Sequence, residues 1–210
     1  MKTTAPSLPA RGEIREMTAN APAALSGSMD VDEFMAFVET RPHGEDWELI
    51  EGVAVMKAPA TYAHRRLAFN LCGLLNAASD ARHIDLFAYV NVAVRNPGVR
   101  NFQPQPDVAV VPGVAGFDYY SECFQLAAEV LSPSNTRVEI DLKLHRYREA
   151  PDNLYAVVID PWEFMLEIYS KSRKCEPAVF KRPDDAIEMP EFGLRSTVVD
   201  LYRGTPLALR

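Results

Sequence analysis

Two short runs, DVAVVP from Asp107 to Pro112 and LAAEVLS from Leu126 to Ser132, are apolar at nearly every position, and this pattern constrains the fold more than any other feature of the chain. A strand with one wet face alternates apolar and polar residues, whereas a strand covered on both faces reads as a continuous apolar run. Both runs therefore predict interior strands of a sheet with helices on either side. Each also carries a carboxylate, Asp107 at the mouth of the first run and Glu129 inside the second. A carboxylate among Val, Ala and Leu is costly to desolvate unless it is neutralised, paired or bound to a cation.

The flanking sequence supplies the rest of such a layer. MDVDEFMAFVETRP predicts a helix capped by Asp30, with Phe34, Phe37 and Val38 on one face and Pro42 as its stop. DWELIEGVAVMKA reads as a tight hairpin about Glu51 and Gly52, and YAHRRLAFNLCGLLNAASD places Leu67, Leu71, Leu74 and Leu75 at helical intervals. IDLFAYVNVAVRN has strand composition, and NTRVEIDLKLHRYREA predicts a helix begun near Ser134 or Asn135 and ended before Pro151. LYAVVID and FMLEIYS flank a turn around Asp160, Pro161 and Trp162, after which a polar, proline-dotted tail is expected to complete the sheet. The order predicts an α/β fold, a mixed β-sheet flanked by helices. Residues 1–28, rich in Ala, Pro, Ser and Thr, are expected to form a flexible N-terminal arm, and residues 29–210 a single domain.

Charge and cysteine content narrow the function classes. With 22 Lys and Arg against 29 Asp and Glu, the formal net charge is −7, which counts against an abundant, non-specific binder of nucleic acid. It leaves a nuclease open, because a carboxylate site adds negative charge that a divalent cation later cancels. Cys72, Cys123 and Cys175 are widely spaced with no CxxC pair, which suits neither a disulfide framework nor a zinc cluster. No run approaches the roughly 18 apolar residues of a membrane span, so a cytoplasmic protein is expected. Gly113 and Gly116 follow a strand without completing a phosphate-binding glycine loop.

If the two apolar strands are neighbours, Asp107 and Glu129 make a hard-oxygen site for Mg²⁺ or Mn²⁺, which needs only one or two protein carboxylates. A metal nuclease usually adds a lysine, and its natural place is two residues beyond Glu129 on the same strand face, where this chain has Leu131. The nearest substitute is Lys143 on the following helix, in a stripe with Glu139 and Tyr147. Each residue also has an ordinary reading: Asp107 as a turn cap after Pro106, Lys143 as a surface partner of Glu139, and Tyr147 as packing.

WELIEGVAVMKAPATYAHRRLAFNL, QPDVAVV, AAEVLSPSN and KLHRYREA…LYAVVIDP, in this order, resemble the Uma-type restriction endonuclease family, a branch of the PD-(D/E)xK nuclease superfamily, over most of the chain from Trp47. The resemblance implies a restriction-endonuclease-like core with Asp107 and Glu129 as metal ligands. It matches the family's lysine to Lys143, its early glutamate to Glu48, and its helix histidine and tyrosine to His64 and Tyr147. Two departures stand out. The aspartate expected before the lysine appears as Glu139 or is displaced to Asp141, and APDNLYAVV replaces the usual Gly-Val-x-Glu-Tyr-Trp stretch.

The leading expectation is a metal-dependent endonuclease acting on DNA, with Asp107 and Glu129 on Mg²⁺ or Mn²⁺, Glu48 in support and Lys143 at the attacking water. Arg65, Arg66, Arg95, Arg100, Arg137, Arg146 and Arg148 are the candidates for phosphate contacts. A homodimer would give two sites for two strands. The competing readings are a non-catalytic binding or assembly module with the same fold, and a hydrolase of small phosphoesters.

Overall fold

The computed structural model describes residues 28–113, 116–133 and 135–209, so nearly all of the expected N-terminal arm, and Ser134, lie outside the described residues. The chain runs α1 (Val31–Glu39), β1 (Trp47–Ile50), β2 (Val53–Met56), α2 (Tyr62–Ala81), β3 (Leu86–Val90), β4 (Ala93–Val94), β5 (Val108–Pro112), β6 (Tyr120–Ser121), β7 (Leu126–Val130), α3 (Arg137–Glu149), β8 (Tyr155–Ile159), β9 (Leu166–Ser170), β10 (Pro177–Phe180), β11 (Ala186–Met189), β12 (Leu194–Thr197) and α4 (Val198–Leu201).

Six strands form one mixed sheet in the order β10-β9-β8-β7-β5-β3, with β7 and β8 parallel and every other pair antiparallel. β7 and β8 are buried along their whole length, as their apolar sequences require, because helices cover both faces. On one face Leu67, Leu71 and Leu75 of α2 pack on Val108, Val110, Leu126 and Ala128. On the other, Ile140, Leu144 and Tyr147 of α3 pack on Ala109, Ala127, Ala156 and Val158. Burial of this kind contributes about 1.5–3 kcal/mol for each large aliphatic side chain.

The β1–β2 hairpin turns through Glu51 and Gly52, both at positive φ (49° and 79°), a type I′ turn whose twist matches its strands. α1 begins at Asp30, whose side chain accepts from the backbone of Asp32 and Glu33 in a capping box, and it buries Phe34 against Leu49 and Ala54.

Two expectations are corrected. α3 starts at Arg137, not at Ser134 or Asn135: Thr136 is its cap, in a reciprocal box with Glu139, while the Asn135 side chain accepts from Ser132. The Thr-x-x-Glu spacing was present in the sequence and outcompetes the Ser-Asn pair because both of its partners find a backbone N–H. The C-terminal tail adds only β10 to the main sheet; β11 and β12 form a separate hairpin that packs Ile187, Met189 and Leu194 into the α2-side core. Among the described residues no helix is long and apolar enough to cross a membrane, and all three cysteines are free.

Candidate functional site

β5 and β7 are antiparallel neighbours, with Val108 opposite Ala128, and one further step along that register sets Asp107 opposite Glu129. Both carboxylates open into a cavity of about 720 Å³ at this end of the sheet, bounded by β2, the start of α2, β7 and α3. Glu48, His64 and Lys143 line the same cavity, and so does Lys57, which lies just past the end of β2.

Side-chain alternation turns Glu129 toward α3, where Lys143 and Tyr147 lie one turn apart and meet it together. The Tyr147 hydroxyl donates to Glu129 Oε1 at 2.6 Å, and Lys143 Nζ lies 3.3–3.4 Å from the two carboxylate oxygens. Lys143 also donates to Glu48 Oε1 and Oε2, each at 2.8 Å. Glu48 is fixed from behind by the Gln105 backbone N–H at 2.7 Å. Lys143 is therefore buried between two glutamates rather than paired with Glu139, whose carboxylate is spent on the helix cap.

Asp107 is held from three sides. Its Oδ2 accepts from the Val130 backbone N–H at 2.8 Å and faces His64 Nε2 at 3.1 Å, while Lys57 Nζ lies 3.5 Å from Oδ1 and donates to the Gln105 carbonyl at 2.7 Å. An ionised carboxylate only accepts, so the His64 contact places the imidazole proton on Nε2. His64 Nδ1 is buried with no protein hydrogen-bond partner among the described residues.

The charges in this cluster pull their groups apart. Burial pushes Asp107 up, but the hydrogen bond from His64, the Lys57 charge and the Val130 N–H outweigh it and hold the carboxyl at about 2. Burial pushes Glu129 up, Lys143 pulls it back, and the charges of Asp107 and Glu48 raise it further, so it stays above the ordinary value. Burial pushes Lys143 down, and Glu129 and Glu48 more than reverse this. Tyr147 lies well above its ordinary value through burial and the Glu129 and Glu48 charges.

At the centre of the cavity the Asp107, Glu129 and Glu48 carboxylates face the Lys57 and Lys143 ammonium groups. Among the described residues no group of three or more His, Cys, Asp or Glu is placed to hold a metal ion. The donor set still suits a hard cation that keeps most of its waters. Asp107 Oδ1 and Glu129 Oε2 are the less engaged oxygens of their carboxylates, with nearest donors at 3.5 and 3.4 Å.

Every sequence-predicted site residue reaches this cluster: Asp107, Glu129, Glu48, Lys143, His64 and Tyr147. Lys57 was missed. The clue was the strand period, because Glu48 pairs with Val55 and Lys57 follows two residues later on the same face. The seven arginines do not gather. Arg100 pairs with Asp30 and Asp32, Arg137 with Asp141, and Arg146 with Glu51 and Glu149. Arg95 stacks on Tyr120 and Arg148 on Tyr169, which leaves Arg65 at the cavity wall with Arg66 beside it in α2.

A mixed sheet between helices, with carboxylates at the adjoining ends of two central strands, is the restriction-endonuclease-like fold. The chain belongs to the Uma2 family, described as "Putative restriction endonuclease", whose profile matches residues 31–199. It is similar to the crystal structure of a "putative nuclease belonging to DUF820" from Anabaena variabilis, with 18% sequence identity and a TM-score of 0.68 over 83% of this chain and 97% of that one. At that identity the likeness shows the fold. No curated protein matches the chain in sequence.

Proposed function

We propose that the chain is a divalent-metal-dependent endonuclease that hydrolyses DNA phosphodiester bonds in the cavity between β5, β7 and α3. The observation that carries this reading is the convergence of Asp107, Glu129 and Lys143 from three elements, with the lysine delivered by a helix instead of by the strand position held by Leu131. Asp107 and Glu129 would hold Mg²⁺ or Mn²⁺, which when bound supplies Lewis acidity at the phosphoryl oxygen and a more acidic water.

The chain's own groups do the rest. His64, Lys57 and the Val130 N–H keep the Asp107 carboxylate ionised and aimed into the cavity, and Tyr147 orients Glu129. Glu48 holds the Lys143 ammonium in place, where its charge stabilises the pentacoordinate phosphorane as the water oxygen bonds to phosphorus and gives its proton to solvent, while the bond to the leaving sugar oxygen breaks and that oxygen takes a proton from solvent. Lys57 is the more exposed of the two lysines (20% against 7%), which suits it to a phosphate oxygen of the bound strand.

Calorimetric titration of Mg²⁺ and Mn²⁺ into the wild type, Asp107→Ala and Glu129→Ala, followed by plasmid cleavage with these proteins and Lys143→Ala, tests the reading. Metal binding lost in both carboxylate variants and cleavage lost in all three is the expected result. A folded wild type that binds neither metal would overturn it in favour of a non-catalytic binding module.

A further inference from the structure

On α2, Tyr62, Arg65, Arg66 and Phe69 stand at i, i+3, i+4 and i+7, one narrow stripe on the side opposite Leu67 and Leu71. Tyr62 is 95% exposed and Phe69 64%. Single exposed aromatics are common, but two of them bracketing two arginines on one helix face are a patterned surface. Arg65 and Phe69 also line the carboxylate cavity, so the stripe begins at its wall.

Among the described residues the charges of this face have no acidic partner. Arg65 Nε donates to the Ala60 carbonyl at 3.4 Å, and the Arg66 guanidinium lies 5.9 Å from the Phe69 ring centroid. Among the described residues neither pairs with a carboxylate, although Arg100, Arg137 and Arg146 do. α2 carries no Asp or Glu before Asp80, so a chain of net charge −7 keeps one local positive ridge beside an acidic cavity. The polyphosphate backbone is its complement, and exposed rings flanking guanidinium groups are what unpaired bases stack on.

Resting on the nuclease reading above, we infer that the Tyr62–Arg65–Arg66–Phe69 face of α2 is a docking platform for a DNA strand with unpaired bases, which it feeds to the carboxylate cavity. Duplex DNA presents no free base faces to such rings, so the substrate class is single-stranded DNA or DNA with an unpaired segment at the cut.

The test uses the full chain without metal, so that nothing is cleaved, and fluorescence anisotropy with labelled oligothymidylate and a labelled duplex of the same length. The wild type is expected to bind the single strand more tightly. Tyr62→Ala and Phe69→Ala should each weaken that binding about 5- to 100-fold, while Tyr62→Phe keeps it. Arg65→Ala and Arg66→Ala should each lower the slope of log K against log salt by about 0.7. All four side chains are solvent-facing, and an unchanged circular dichroism spectrum checks the fold.

If the wild type binds DNA and both aromatic variants bind it equally well, the platform is wrong and the nuclease stands. If the wild type binds no DNA at all, the nuclease reading falls and takes the platform with it. If the aromatic substitutions dissociate a dimer in sedimentation while leaving DNA affinity unchanged, the face is a contact between two copies of the chain and the inference is overturned.

Discussion

Lys143 donates to both carboxylate oxygens of Glu48, each at 2.8 Å, although the two residues are 95 positions apart. Three residues further along each segment, Arg146 grips Glu51 at 2.6 and 2.9 Å. Neighbours three apart share a helix face, so α3 docks on the β1–β2 hairpin through two ion pairs, one buried in the cavity and one nearer solvent. The inner pair places the lysine and the outer pair sets the angle of the helix that carries it.

Removing the inner cation should be costly, because Glu48 and Glu129 would be left buried without it. Lys143→Met is expected to lose about 3–5 kcal/mol in urea unfolding, with part of the loss recovered in Lys143→Met/Glu48→Gln. Strictly additive costs would show that the pair is not an energetic unit.

The outer pair predicts a pH dependence. The Arg146 hydrogen bond holds the Glu51 carboxyl below its ordinary 4.5, against the burial that pushes it up. A carboxyl depressed in the folded state stabilises above its unfolded pKa and loses that contribution as pH falls through the folded value. The melting-temperature gap between wild type and Glu51→Gln should therefore be full at neutral pH and close below 4.5. A gap unchanged in acid would exclude this role for the pair.

Tyr147→Phe keeps the ring that packs against Phe102 and Phe124 but leaves Glu129 Oε1 without its 2.6 Å donor. The expected cost is about 1–3 kcal/mol in thermal or urea unfolding, the range for a buried acceptor deprived of its partner. A variant as stable as the wild type would mean that Lys143 alone satisfies Glu129.

Lys57→Gln removes a phosphate contact in the proposed nuclease without emptying the core. Binding of labelled oligothymidylate by the metal-free protein should show a salt slope shallower by about 0.7, restored by Lys57→Arg. Equal slopes in all three proteins would confine Lys57 to its contacts with Asp107 and the Gln105 carbonyl.

The layer and most of the site were legible in the sequence for a physical reason. Strands covered on both sides leave an unbroken apolar record, so Glu129 stood out as a charge with no local partner, and the Leu67–Leu71–Leu75 period marked the helix over one face. What was hidden depends on contacts distant in sequence. The Lys143–Glu48 pair spans 95 positions, and Lys57 meets Asp107 across 50. The dispersal of the arginines could not be foreseen either, because Arg100 and Arg146 find Asp30 and Glu51 only after the chain has folded back.

The Thr136–Glu139 box that starts α3 also fixes the rotational phase of everything downstream on that helix. Each residue advances an α-helix by about 100°, so one residue inserted between Thr136 and Lys143 would swing the ammonium out of the cavity. The same insertion ahead of Thr136 leaves that phase untouched and falls instead on the Ser132–Asn135 contact at the cavity wall. Thr136 is thus the zero mark from which the position of the lysine is counted.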